Sequence, residues 1–351
     1  MKRLLVILLI ISLGCACKKS GTRGVIPSTL GELETIPLAK ILIEKGFIGT
    51  SKDLSINMPP AGFQDRKASC VAFAIAYDVI SYNEKVANNY SYDVQNDIPN
   101  SNKVFSASFI YNYIKSTDGI SDCSTGIKFV TAIKFVEQNG ICKLSDFAYS
   151  GSSVTCDAPP GPNELNKAKK YNYYKFYRLN HKLDELITVL NDRVPIMFTT
   201  TISRDLDIDG YNFFKKGLDY RTKNLFIWNP SVNDIDDLHA MVIVGYDNKK
   251  SLFKVMNSWD HDWGNNGYYF IPYSIFFKRA IELYICQANS NTKDLFSLHS
   301  KIKIQTLDSA TFGTEDSVIK SKIAANIRIL EQIHNKTENQ NTLLANLKTL
   351  Y

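Results

Sequence analysis

Cys70 opens a stretch, Ser69-Cys70-Val71-Ala72-Phe73, from which Ala72, Phe73, Ala76, Tyr77 and Ile80 recur at helical spacing. A cysteine attacks as its thiolate, and an ordinary thiol, with a pKa of about 8.5, is mostly protonated at neutral pH. At the start of a helix the positive end of the macrodipole favours the anion. Three other residues carry groups that would complete such a nucleophile. His239 precedes the apolar run Ala-Met-Val-Ile-Val, and a histidine there can hold the thiol proton and pass it to a leaving amine. Asn257, in Asn257-Ser258-Trp259, can fix the imidazole through its amide oxygen, with Trp259 shielding that contact from water. Gln64 offers a side-chain amide which, with the Cys70 backbone N–H, can donate to a developing oxyanion. The chemistry of this set is acyl transfer through a thioester.

The elements that must bring these residues together alternate along the chain. Helical spacing predicts helices from near Ser69, over Ser106–Lys115, over Ile127–Gln138 up to Asn139-Gly140, and over Leu183–Asn191. Strand-like runs follow at Val194–Thr201, Ala240–Tyr246, Leu252–Asn257, Gly267–Pro272 and Ile281–Cys286. Helices first and strands later argue for an α+β fold of two packed lobes, not a parallel α/β sheet. A weak amphipathic piece is expected around Leu38–Ile48. A helical tail from about Ser317 to Tyr351 carries Ile319, Ile323, Leu330, Ile333, Leu344 and Leu347 near a 3–4 spacing. That tail is expected to pack on its own domain. A weak coiled-coil seam for self-association is the alternative.

Composition narrows the class. Of 351 residues, 44% are hydrophobic and 22% charged, enough apolar material for a sizeable core. The net charge of +6 is mild, and no arginine-rich run or basic-aromatic interleaving suggests nucleic acid as a partner. The histidines outside the set (His181, His261, His299, His334) form no spaced ligand cluster, so neither a metal nor a cofactor is expected. Lys2 and Arg3 precede an apolar run from Leu4 to Leu13, too short to cross a hydrocarbon core of about 30 Å as a helix. The small residues and cysteines after it, Gly14-Cys15-Ala16-Cys17, resemble a bacterial lipoprotein signal with Cys17 as the lipidated residue and Cys15 as its rival. The expected location is the cell envelope, with the membrane reached only through the lipid. Beyond that signal lie five cysteines, and an odd number in an exported chain leaves at least one thiol unpaired.

The four chemical segments resemble the papain family of cysteine peptidases. Gln64 stands six residues before Cys70, Cys70 lies in Ser-Cys-Val-Ala-Phe, and His239 opens a run ending in Gly245-Tyr246. Asn257-Ser258-Trp259 is followed by Trp263-Gly264-Asn265-Asn266-Gly267-Tyr268, as in the family. The resemblance covers about Leu54 to Ala288. It implies a papain-like fold, with a helical lobe bearing the nucleophile and a β-barrel-like lobe bearing His239 and Asn257. It implies peptide or protein substrates, and Gly126 and Trp259 as substrate contacts along the groove. It also implies that Cys156 pairs with Cys123 or Cys142, while Cys286, in an apolar run, stays a buried thiol. The sequence departs from the family at Lys67, where many members place a disulfide cysteine, and at Asp260. Both are expected to alter charge near the groove. No large inhibitory domain precedes Leu54, so the short preceding segment either leaves the groove open or blocks it in another way.

The resulting division is a signal segment over 1–17, a tether and short packing segment over 18–50, a peptidase domain over 51–290 and a linker with helical tail over 291–351. The leading function is hydrolysis of peptide bonds through a Cys70 thioester. Related acyl transfer on envelope peptides and a catalytically silent module that binds peptides or partners are the alternatives. Anchoring has a direct test. Metabolic labelling with a fatty acid should tag the wild-type chain, and the form with Cys15→Ser and Cys17→Ser should carry no label.

Overall fold

The computed structural model describes residues 24–41, 49–203, 206–216, 224–231, 233–288, 305–306 and 312–350. Cys15 and Cys17 lie outside the described residues. The first lobe is helical. It is built on α2 (Cys70–Ala72), which runs on through a π-helical stretch over Phe73–Ile80 into α3 (Ser81–Asn88). Every residue from Cys70 to Ile80 is buried, Asp78 included, so the helix threads the core. Against it pack α4 (Ala107–Thr117), capped by the Ser106 hydroxyl on the Phe109 N–H, and α5 (Phe129–Asn139), stopped by Gly140 in a left-handed conformation.

The second lobe is an antiparallel sheet in the order β3 (Tyr174–Arg178), β8 (Ala280–Ala288), β4 (Ile196–Ile202), β5 (Asp237–Asp247), β6 (Leu252–Met256) and β7 (Tyr268–Pro272). A short strand, β2 (Ser51–Asp53), lies on β5 as well. Central strands β4 and β5 are buried on both faces, which explains why β5 reads as a continuous apolar run over Ala240–Val244, while β4 buries three threonines as well. The observed strand β5 starts three residues earlier than the expected Ala240–Tyr246. Its partner β4 extends to Ile202 and pairs Thr200 with His239 and Ile202 with Asp237. His239 therefore sits inside the ladder, where the pairing on either side fixes its backbone.

A disulfide joins Cys123 to Cys156, leaving Cys142 and Cys286 as buried thiols beside Cys70 among the described cysteines. The bridged segment touches the nucleophile helix, since Ala68 donates its N–H to the Cys123 carbonyl at 2.9 Å and Tyr111 donates its hydroxyl to the same oxygen. Lys67 is wholly buried, and its ammonium is paired with Asp157, the neighbour of Cys156. An ion pair thus occupies the position where the resemblance implied a disulfide cysteine. The expectation that Lys67 would charge the groove is overturned by its burial.

The segment before the first lobe is more than a tether. Val25, Leu33, Ile36, Leu38, Ala39 and Ile41 are buried in the common core. The chain forms α1 (Leu30–Glu34) ahead of the amphipathic piece expected around Leu38–Ile48, of which Ala39–Lys40 make the two-residue strand β1 and residues 42–48 lie outside the described residues. Thr29 and Glu32 form a reciprocal cap, a strong local signal that precedes too few apolar residues to show as a helical pattern. Arg178 donates to the Ile36 carbonyl through Nε at 3.1 Å and to Pro37 through its backbone N–H at 2.8 Å.

The tail is two helices, α10 (Phe312–Gln332) and α11 (Glu338–Lys348), folded against each other and onto β8 and β5. The break comes at Thr337, which caps α11 in a capping box with Gln340. Ile319, Ile323, Leu330, Leu343 and Leu347 join the core of the domain. Lys322 donates to the Ala280 carbonyl at 2.6 Å and Gln340 to the Ile235 carbonyl at 2.8 Å, while the Thr337 hydroxyl reaches Asp236 at 3.2 Å. These contacts hold the approach to β5, a few residues from His239.

Two measurements check this packing. Leu330→Ala should cost about 2–5 kcal/mol in denaturant unfolding, the range for emptying a buried leucine site. Glu282, on β8, is buried and its carboxyl is pushed up from 4.5 to about 7 by burial, against hydrogen bonds from Ser28 and Tyr284. Between pH 4.5 and 7 the folded state holds a proton that the unfolded chain has lost, so stability falls as pH rises through this window. Glu282→Gln should flatten that slope, removing a change of up to about 3 kcal/mol.

Candidate active site

The two lobes meet where Cys70, at the first turn of the long helix, faces β5. The sulfur is buried and lies near the backbone N–H of Ala240, the residue after His239. On the sheet side, His239 Nε2 stands 2.8 Å from Asn257 Oδ1. The same oxygen accepts the N–H of Ser258 at 2.8 Å, which locks the carboxamide in place. Trp259 stacks on the imidazole with centroids 4.7 Å apart and planes 25° from parallel. Its indole is fully buried and braced edge-on by Trp263. Trp259 thus covers the His239–Asn257 pair.

Gln64 is positioned from both lobes. Its backbone N–H donates to the Ser258 carbonyl at 3.0 Å, and its side-chain oxygen accepts the Ser258 hydroxyl at 2.6 Å. Its side-chain nitrogen donates to the Lys67 carbonyl at 3.0 Å. With the oxygen end held by Ser258 and the nitrogen end by Lys67, the plane of the carboxamide is fixed. Tyr149 adds a second brace, since its hydroxyl bonds to both the Gln64 carbonyl and the Ser69 hydroxyl. Ser258 and Tyr149 are supporting residues whose part the sequence did not disclose. Ser258 lay inside the Asn-Ser-Trp signature, and its spacing alone carried no sign that it reaches 194 residues back to Gln64.

Gly126 lies on the other side of the cleft. A Cβ there would stand 2.0 Å from the Gly24 carbonyl oxygen and 3.1 Å from Val25 Cα, so the position admits only glycine next to that backbone. Asp260 turns away to hydrogen-bond with His261 at 2.7 Å, at a backbone φ of +80°.

The electrostatics of the thiol differ from the expected ion pair. Burial pushes Cys70 up to about 12, and the nearby Asp237 carboxyl adds to the rise. The N–H groups of Ala240, Val71 and Cys70 pull the other way. In this closed arrangement the sulfur is a neutral thiol that donates to the Gly24 carbonyl oxygen at 3.5 Å. The helix terminus and the three N–H groups favour the thiolate, yet without water they do not outweigh desolvation.

Comparison with known proteins agrees with this geometry. Residues 65–283 match the papain family cysteine protease pattern. An uncharacterized peptidase C1-like protein of Acanthamoeba polyphaga mimivirus is 24% identical over 246 residues, covering 70% of this chain and 68% of its own. Cathepsin K of Mus musculus is 27% identical over 163 residues, a match spanning 44% of each chain. Among solved structures, xylellain, a cysteine protease from Xylella fastidiosa, aligns with a TM-score of 0.59 at 20% identity, over 77% of this chain and 97% of its own. Procathepsin B of Trypanosoma congolense aligns at 0.53, with 16% identity over 78% and 87%. With the shared two-lobed fold and a match over most of the chain, the protein belongs to the papain family of cysteine proteases.

Proposed function

We propose that the protein hydrolyses peptide bonds through a covalent thioester on Cys70. The observation that carries this reading is the His239–Asn257 pair at 2.8 Å beneath Trp259, set on β5 where the residue after His239 faces the Cys70 sulfur. A histidine serving only as a core polar group has no need of an orienting amide, a stacked indole and a neighbouring thiol at once.

In the reacting state His239 takes the Cys70 proton, and the sulfur attacks the acyl carbon of the bound peptide. The oxyanion accepts hydrogen bonds from the Gln64 carboxamide and the Cys70 backbone N–H. His239 then gives the proton to the departing amine, and the C–N bond breaks to leave a thioester. Water, deprotonated by the same imidazole, attacks the thioester carbon, and the carboxylic acid leaves as Cys70 recovers its proton through His239. Asn257 keeps Nε2 engaged so that the other ring nitrogen serves the thiol, and Trp259 keeps water from competing for that bond. Solvent reaching an open cleft removes the desolvation that holds the thiol neutral, so opening and activation of Cys70 are coupled.

A peptide-library cleavage profile tests the reading. Cys70→Ala should abolish cleavage, and His239→Ala should lower kcat/KM by about 100- to 10,000-fold, the usual span for a general acid–base group. Asn257→Ala should retain more activity than His239→Ala, since it orients the base and transfers no proton. Cleavage that survives Cys70→Ala unchanged would place the reaction elsewhere.

A further inference from the structure

Thr337-Glu338-Asn339-Gln340 has the Thr-x-x-Gln spacing of a capping box, and the box closes the first turn of α11. Gln340 donates its backbone N–H to the Thr337 hydroxyl at 3.1 Å, and Thr337 donates its backbone N–H to Gln340 Oε1 at 2.9 Å. Those two bonds serve the helix end. Each side chain has a further donor, and both donors reach across to the approach to β5. The Thr337 hydroxyl donates to Asp236 Oδ1 at 3.2 Å, and Gln340 Nε2 donates to the Ile235 carbonyl at 2.8 Å. Ile235, Asp236 and Gln340 are all buried.

The stretch of β5 that carries His239 needs such a hold. Among the described strands, β4 alone pairs with residues 237–241, since β6 joins β5 only from Val242 and β2 only from Gly245. On the open side the Leu238 carbonyl accepts the Gly24 N–H at 3.1 Å. β4 itself ends at Ile202, whose carbonyl takes the Asp236 N–H at 2.8 Å. Side chains alternate along a strand, so the face holding His239 also holds Asp237, whose carboxyl acts on the Cys70 sulfur. Asp236, one residue earlier, has its carboxylate on α11 instead. A slip or twist at Asp236 would carry Asp237 and His239 off the face they share. The rest of the approach is clasped by Arg279, whose Nη2 donates to the Ser231 and Asp234 carbonyls at 2.6 and 2.9 Å. Lys322 of α10 fixes Ala280, the next residue, so both tail helices bear on this corner.

We infer that Thr337 and Gln340 are positioning residues for His239: the cap of α11 grips Ile235 and Asp236 so that β5 presents the imidazole to Cys70. Their effect on turnover rests on the peptidase reading above, whereas their effect on the Cys70–His239 pair is read without a substrate. Cap and grip use the same two side chains, so the end of α11 and the entry to β5 tighten or loosen together. The tail thus reaches the site through the strand of the base, and both residues act through the β5 backbone and Asp236.

The test uses the full chain with Gln340→Glu, Thr337→Val and Thr337→Ser, each checked for folding by circular dichroism. Gln340→Glu keeps an oxygen for the Thr337 N–H, so the capping box survives while the donor to Ile235 is lost. Thr337→Val removes the hydroxyl, and Thr337→Ser retains it. Peptide-library cleavage is read beside the pH dependence of Cys70 alkylation by iodoacetamide, located by mass spectrometry apart from Cys142 and Cys286. Gln340→Glu and Thr337→Val should lower kcat by about 10- to 100-fold with KM within about twofold, the signature of a displaced catalytic group. Alkylation reports the open cleft, where His239 sustains the thiolate, so their profiles should move up in pH toward the ordinary thiol value of about 8.5. Thr337→Ser should behave as wild type. A profile left in place, or moved down, in folded Gln340→Glu and Thr337→Val would overturn the inference, whatever their stability. Profiles moved up in a protein that cleaves no peptide even as wild type would uphold the positioning role and sink the peptidase reading instead. Should Thr337→Val fail to fold, Gln340→Glu carries the same comparison alone.

Discussion

The site depends on one stitch between lobes, the pair of bonds joining Gln64 to Ser258. Gln64 leads into the helix that bears Cys70, and Ser258 follows Asn257, which holds His239. Gln64 N–H on the Ser258 carbonyl and Ser258 hydroxyl on the Gln64 side chain therefore set the lobe bearing Cys70 against the lobe bearing His239 where the two meet. Hydrogen bonds buried at such a junction are costly to leave unmade, so each member rigidifies the others. Phe63 pairing with Trp259, and Asp260 donating to Gly62, extend the seam on either side. The stitch thereby holds a cysteine and a histidine distant in sequence on facing elements.

Much of this was legible in the residues. Apolar periodicity located α4, α5 and α7 (Leu183–Asn191) to within a residue or two, because each is long enough to show a buried face, helped by the Ser106 cap of α4 and the Gly140 stop of α5. The β5 run was legible for the opposite reason, since burial on both faces leaves Ala240–Val244 without a polar position, and β6 shows only Lys254 among apolar residues. Cys70, His239, Asn257 and Gln64 could be picked out as candidates because their functional groups suit acyl transfer, and the structure brings their elements to one junction.

What stayed hidden lay in contacts without periodicity. The π-helical widening over Phe73–Ile80 leaves an apolar pattern that still reads as an ordinary helix. Helix α8 (Leu206–Lys215) is interrupted by charge and by Gly210, whose missing Cβ admits Trp263, so its sequence resembles a loop. The Lys67–Asp157 pair could not be foreseen, since a lysine is ordinarily exposed and its partner is 90 residues away. Gly24 is the sharpest case. It lies in a Gly/Ser/Thr-bearing stretch that reads as tether, and only three-dimensional placement reveals the strain and the close approach that call for glycine.

The position of that glycine has a mechanical side. Gly24 lies seven residues beyond Cys17, and a fully extended chain advances at most about 3.3–3.6 Å per residue, so the two cannot be more than about 25 Å apart. Any group attached at Cys17 is thus leashed to the mouth of the cleft. Tension along the leash reaches Gly24 before it reaches any residue of the core, and it bears on the bonds to Leu238 and Cys70 while the buried side chains of α1 stay seated.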